Sequence, residues 1–179
     1  SFRKWAWLSA TAALLGVLSL WAVFGYTKFK VRQLEELVTV AEQALTKGEY
    51  AQASLSARRA LQLDDNCRAA CEVMAKLCEQ VGDARAVGWR QKAAELSPDS
   101  LAASLAFAST ALRFDQVEFA RQALAQVGGA HREQAEFLAM SGAVALASDN
   151  PTAAMRFYAE ASLLAPENGG YRYALARIQ

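Results

Sequence analysis

Apolar residues recur with a helical period along almost the whole chain. Between Val31 and Leu45 they return every third or fourth residue, the spacing that places side chains on one face of an α-helix. Similar stretches follow, separated by turns rich in glycine, proline, aspartate and asparagine. The pattern predicts an all-α protein with helices at 34–46, 50–63, 68–81, 84–96, 101–113, 117–126, 133–147, 151–164 and 171–178.

These helices recur in pairs at a nearly fixed interval. The turn at 48–50 returns 34 residues later at 82–83, and a related turn lies at 149–151. Pro98 and Pro166, which end two of the pairs, stand 68 residues apart. Self-similarity at this period is typical of solenoids of stacked helix pairs. The predicted repeats are 34–67, 68–101, 101–134 and 135–168, with 169–179 as a partial fifth.

The repeats resemble the tetratricopeptide repeat (TPR) family, in which small residues stand where paired helices cross closely. The matching sites on the first helices hold Ala41, Ala75, Ala108 and Gly142. Those on the second helices hold Ala53, Ala60, Ala93, Ala120, Ala154 and Ala161, with Tyr158 at a large aromatic site. The resemblance covers residues 34–179 and implies a right-handed α-solenoid.

Two repeats depart from the family pattern. The second is one residue short between Gly82 and Ala93, so that Ala86 and Val87 compete for one buried site. The third has the segment 114–116, Phe-Asp-Gln, where the family usually places a glycine.

An apolar segment precedes the repeats. Residues 5–26 carry no charge, and a helix of 22 residues spans about 33 Å, enough to cross a bilayer core of ~30 Å. Aromatic residues stand near both ends and basic residues flank it, as at lipid interfaces. We therefore predict a retained single-pass anchor in 1–32 and a TPR domain in 33–179. A cleaved signal peptide and a buried soluble helix are the alternatives. The residues assigned to the anchor are Trp5, Trp7, Gly16, Trp21, Tyr26, Lys28 and Lys30.

Basic residues beside the anchor bear on its orientation. Arg3 and Lys4 precede it, whereas Lys28, Lys30 and Arg32 follow it, a difference that favours a cytoplasmic TPR domain at a bacterial-type inner membrane. A short basic N-terminus before an apolar run also begins exported domains, so the opposite orientation stays open. No linker separates the anchor from the repeats, which predicts that the first repeat helix continues the membrane helix.

The charge distribution argues against nucleic acid as a ligand. The net charge is +1, but from residue 33 onward 14 Lys and Arg face 18 Asp and Glu, a net charge of −4. A mildly acidic body lacks the basic surface that phosphate backbones require.

No motif in the chain predicts catalysis, a metal or a cofactor. The spacing of Cys67, Cys71 and Cys78 matches no zinc pattern, and the only histidine, His131, is distant. Buried free thiols are the preferred interpretation, with redox or metal chemistry as the alternative. Phosphate-binding and hydrolase motifs are missing from the sequence.

The candidate site is the concave face that stacked helix pairs create. By the resemblance, five positions of each first helix point into it. The selected residues are Glu72, Lys76, Glu79, Leu105, Ser109, Leu112, Arg113, Glu136, Ala139, Ala143 and Leu146. Small and apolar positions suit an amphipathic helix of a partner protein. Alternatively, the chain's own next element covers Leu105 and Leu112.

These features predict a non-enzymatic, membrane-anchored scaffold that binds or assembles proteins at the inner membrane, in contact with lipid and without nucleic acid. Two alternatives stay open. The chain is a permanent structural subunit of a larger membrane complex, or it is the anchor and repeat portion of an enzyme whose catalytic domain follows residue 179.

Overall fold

The computed structural model describes residues 28–178. In that range the regular structure is entirely helical. The elements are α1 (28–46), α2 (Tyr50–Leu63), α3 (Arg68–Gln80), α4 (Arg85–Glu95), α5 (Leu101–Arg113), α6 (Val117–Ala125), a 3₁₀ turn (Gly129–His131), α7 (Ala135–Ala147), α8 (Pro151–Leu164) and α9 (Gly169–Ala176).

Most predicted helix boundaries are confirmed to within two residues, and the larger difference is at α1, which is helical from residue 28 rather than from 34. Two of the smaller differences have local causes. α9 begins at Gly169 rather than at Tyr171, because the Asn168 side chain caps it by accepting a hydrogen bond from the Gly170 amide at 3.1 Å. α7 begins at Ala135 rather than at Glu133, since a 3₁₀ turn occupies Gly129–His131.

The helices stack as consecutive antiparallel pairs. α3 packs against α4, α5 against α6 and α7 against α8, and α9 packs against α8 as the start of a further pair. Ala41 and Ala44 of α1 share a buried cluster with Ala53 and Ala57 of α2. Four helix pairs and the beginning of a fifth are therefore confirmed.

One backbone device closes the turn inside each pair. Gly48, Gly82, Asp115 and Asp149 all have positive φ, between +55° and +78°. In each turn the following amide donates to a carbonyl five residues back, at 2.8 or 2.9 Å, as in the 49→44 and 116→111 bonds. The third turn, which lacks the usual glycine, thus has the same geometry with an aspartate in the left-handed conformation.

Small residues let the helices cross closely, as the repeat pattern predicts. Ala41, Ala75 and Ala108 are completely buried. A Cβ on Gly142 would lie only 2.9 Å from Cε2 of Tyr158. The sites that match Gly142 and Tyr158 in repeat one, 41 and 57, both hold alanine, whereas repeat four combines glycine with tyrosine.

Ala86 and Val87, which competed for one site in the sequence, are both buried. α4 therefore turns two adjacent positions inward where one was expected.

The predicted membrane anchor lies in residues 5–26, outside the described part of the chain. Lys28 and Lys30, assigned to its basic flank, lie in α1, which is helical from the first described residue. Among residues 28–178 no helix is both long enough and apolar enough to span a bilayer.

Candidate functional site

The residues selected for the concave face lie on α3, α5 and α7, and each retains some exposure to solvent. Five of them are exposed: Lys76, Ser109, Arg113, Glu136 and Leu146. The other six are half-buried: Glu72, Glu79, Leu105, Leu112, Ala139 and Ala143.

Leu105 and Leu112 are less available to a partner protein than their positions in the repeat indicate. Both pack against the central core cluster, which contains the fully buried Phe107 and reaches Val144 of α7. Leu146, 39% exposed, is the large apolar residue of the selected set that projects most into solvent. The apolar surface expected here is therefore largely part of the core.

Glu79 forms a polar junction between three helices. Its carboxylate accepts two hydrogen bonds from Arg90 of α4, at 2.8 Å from Nε and 3.1 Å from Nη2. It also accepts one from the Thr110 hydroxyl of α5 at 2.7 Å. The Glu79 and Arg90 side chains are only about 15% exposed, so Glu79 contributes little open negative charge to the concave face.

The pKa of Glu79 reflects this junction. Burial favours the neutral acid and raises the pKa, but hydrogen bonds from Arg90 and Thr110, with the nearby charge of Arg113, more than offset burial. The net effect holds the pKa of Glu79 below its usual range. The carboxylate is thus charged whenever the fold is intact near neutral pH.

A cleft opens between α3 and α5 on the same face. It has a volume of about 320 Å³. It is lined by Arg68, Glu72 and Lys76 of α3, by Arg90 and Ala93 of α4, and by Ser100, Ala102, Ala103 and Ala106 at the start of α5. Two of the selected residues, Glu72 and Lys76, therefore border a real depression.

A second cleft lies on the opposite side, between α2 and α4, and was not anticipated from the sequence. Tyr50 and Trp89 line it together with Met74, Leu77 and Val81, and its volume is about 440 Å³. The helical spacing of these residues predicts that they lie in the core. The gap between α2 and α4, the second helices of two consecutive pairs, is visible only in the structure.

The cysteines are inert in character. Cys67, Cys71 and Cys78 are all buried and unpaired, as predicted. Burial raises the pKa of the Cys71 and Cys78 thiols, which keeps them protonated and poorly nucleophilic.

No metal-binding group is apparent in the described range. Residues 28–178 bring together no set of three histidine, cysteine or acidic side chains that could hold an ion. His131 instead lies 2.9 Å from the Gln134 amide nitrogen through Nδ1.

Solved structures with the same arrangement decide the fold. MamA from Desulfovibrio magneticus RS-1 superimposes with a TM-score of 0.70 at 20% identity, over 82% of this chain and 83% of that one. PilF of Pseudomonas aeruginosa gives 0.68 at 16% identity, over 83% and 68%. YrrB, described as a TPR protein with an unusual peptide-binding site, gives 0.66 at 14% identity, over 83% and 81%.

The chain has the fold of the TPR solenoids. The fold depends on three features of the chain: alternating first and second helices, turns that contain a residue in the left-handed conformation, and small residues where the helices cross. No protein-family model and no curated protein matches the sequence. At these identities the likeness concerns the TPR fold alone.

Proposed function

We propose that this protein is a non-enzymatic scaffold that binds a segment of another protein along the concave face of its TPR solenoid. One observation carries the proposal: the face formed by the first helices is open, and between α3 and α5 it deepens into a cleft bordered by charged side chains. A concave solenoid surface of this kind suits an elongated ligand better than a small molecule.

The finer part of the proposal is that residues 5–26 anchor the scaffold in the inner membrane. The length and apolarity of that segment support it. Because α1 is helical from residue 28, the repeats would stand close to the bilayer. By the charge difference across the segment, the TPR domain would face the cytoplasm.

Site-specific photocrosslinking in intact membranes tests the binding face. A photoreactive amino acid at Ser109 or Ala139 should capture the same partner band, whereas one at Leu55, an exposed position on α2, should not. Capture of that band equally from Leu55, or from none of the three positions, would contradict binding along the concave face.

Alkaline extraction tests the anchor. The wild-type chain should stay in the membrane pellet, and Leu14→Arg with Leu18→Arg should release it, because each arginine costs about 2.5–3.5 kcal/mol at a helix centre. Val31→Arg, at an exposed position of α1, is the matched control and should remain in the pellet.

A permanent structural subunit is a second candidate, favoured by the far end of the solenoid. Leu163 and Leu164 of α8 are 81% and 57% exposed, and Tyr173 of α9 is 67% exposed. Neighbouring apolar side chains of this size mark surfaces that proteins usually cover. A partner that copurifies in fixed stoichiometry, and is lost with Leu163→Glu, would favour the subunit over a transient scaffold.

A further inference from the structure

We infer that the α3–α5 cleft recognises acidic side chains in an extended segment of the partner protein. This inference rests on the proposed scaffold function and specifies the chemistry of its ligand. It combines the shape of the cleft, the pairing of the charges around it and the helix end that borders it.

The shape follows from small residues. α5 and α7 pack directly against each other, whereas α3 and α5 are not among the helix pairs in extensive contact. Bulky residues such as Phe137 and Met140 pack against the core at the α5–α7 contact. On the other side of α5, Ala102, Ala103 and Ala106 line the gap. The cleft can therefore admit side chains of an extended backbone.

Ion pairing leaves one lysine at the cleft with its charge unneutralised. Arg68 is joined to Glu72 at 2.8 Å, so these two charges largely cancel. Lys76, one turn beyond Glu72, is exposed and makes no ion pair within residues 28–178. Arg90 also lines the cleft but is paired with Glu79, so Lys76 carries the charge at the cleft that no carboxylate of the described residues neutralises, in a body whose net charge from residue 33 is −4.

Arg90 keeps unused donors at the cleft. It bonds Glu79 through Nε and Nη2, and Nη1 has no hydrogen-bond partner among the described residues. A guanidinium has five N–H donors in a planar fork, so Arg90 can hold Glu79 and still donate to an incoming carboxylate. Arg113, exposed on α5, adds positive charge close enough to lower the pKa of Glu79.

The first turn of α5 adds to this potential. Ser100 caps the helix by accepting a hydrogen bond from the Ala103 amide at 3.3 Å, and both residues line the cleft. The first amides of a helix lack intrahelical acceptors and carry a partial positive charge, which favours anions. The cationic side chains and the N-terminus of α5 therefore both favour a negatively charged ligand.

Binding of a model acidic peptide tests the inference. The full chain in a neutral detergent is titrated into a fluorescein-labelled dodecapeptide of alternating alanine and glutamate, and anisotropy is recorded. Lys76→Glu should weaken binding about tenfold at low salt, while Glu72→Gln should strengthen it about two- to threefold. Arg172→Glu makes the same charge change on α9, away from the cleft, and should have less than a twofold effect.

Shape is tested separately from charge. Ala102→Trp fills the cleft at an exposed position and should abolish binding, whereas Ala125→Trp, also exposed but on α6, should not. Circular dichroism melts of both variants identify any loss of folding.

Three results would overturn the inference. These are equal weakening by Lys76→Glu and Arg172→Glu, comparable binding of the matching alanine–lysine peptide, and binding of a single-stranded oligonucleotide with the same variant dependence. If the peptide fails to bind while crosslinks from Ser109 and Ala139 persist, only the acidic specificity is wrong. If those crosslinks are also missing, the scaffold function itself is contradicted.

Discussion

Single side chains set how closely the paired helices approach. Ala41, Ala75 and Ala108 occupy equivalent crossing sites and are fully buried. At the fourth site Tyr158 takes the space, and Gly142 faces its ring at distances that leave no room for a Cβ. Repeats one and four thus differ at these sites: repeat one has alanine on both helices, at 41 and 57, whereas repeat four combines Gly142 with Tyr158.

Gly142→Ala should therefore destabilise the protein by about 1–3 kcal/mol, because the added methyl forces the Tyr158 ring to move. Chemical denaturation of the variant measures the loss. In the background of Tyr158→Leu, the same substitution should cost markedly less. An equal cost in both backgrounds would exclude the ring as the cause.

Two glycines six residues apart predict opposite responses to alanine. Gly82 has φ +70°, so Gly82→Ala should destabilise by about 1–2 kcal/mol. Gly88 lies inside α4 with open space around its Cβ position, so Gly88→Ala should stabilise by about 0.5–1 kcal/mol. Thermal melts of the pair would contradict this account if both substitutions shifted stability in the same direction.

At the scale of helices, Glu79 links α3 directly to both α4 and α5. Packing between helices that are adjacent in sequence would link α3 to α4 and α4 to α5, but not α3 to α5. Its carboxylate on α3 binds Arg90 on α4 and Thr110 on α5. Removal of one partner leaves the other charge unpaired in a largely buried position, which costs more than breaking an exposed ion pair. The relative placement of α3 and α5, and hence the cleft between them, depends on this junction.

The depressed pKa of Glu79 predicts a specific pH dependence. A carboxylate with a lower pKa in the folded state stabilises the protein above its unfolded pKa of about 4.3, and this contribution is lost as pH falls through the folded value. Glu79→Gln should lower stability at pH 7 by about 1–3 kcal/mol and flatten the decline in melting temperature below pH 4.3. Glu167→Gln, exposed beyond α8, is the control and should leave the profile unchanged.

The helices and their pairing could be predicted from the sequence because they depend on local periodicity and on turn residues. The third turn was harder to predict, because Asp115 adopts the left-handed conformation that glycine usually adopts, and the residues beside it do not indicate this. Glu79 was assigned to the concave face by its position in the repeat. That position gives no information on Thr110, which lies 31 residues away in sequence.

At the scale of the whole molecule, a solenoid has no single core that all elements share. The buried clusters are local: one joins α1, α2 and α3, and another joins α4 to α7. α9 has no fully buried residue, whereas most of α3 is buried. Stability in such an array is close to a sum over repeats and their interfaces.

Amide hydrogen exchange should therefore vary along the array. α9 should exchange fastest among the described helices, and α3 and α5 should be the most protected, because their neighbours cover them on both sides. Gly142→Ala should speed exchange in α7 and α8 and leave α2 and α3 nearly unchanged. Mass spectrometry of peptic fragments measures this, and uniform protection would indicate one cooperative unit instead.

The contact between Gly142 and Tyr158 also limits the order in which the fourth repeat can change over generations. A methyl group added first at position 142 forces the Tyr158 ring to move, at about 1–3 kcal/mol, whereas truncation of Tyr158 first leaves a cavity that costs about 3–5 kcal/mol. The two positions are therefore epistatic, because the cost of a residue at one of them depends on the residue at the other.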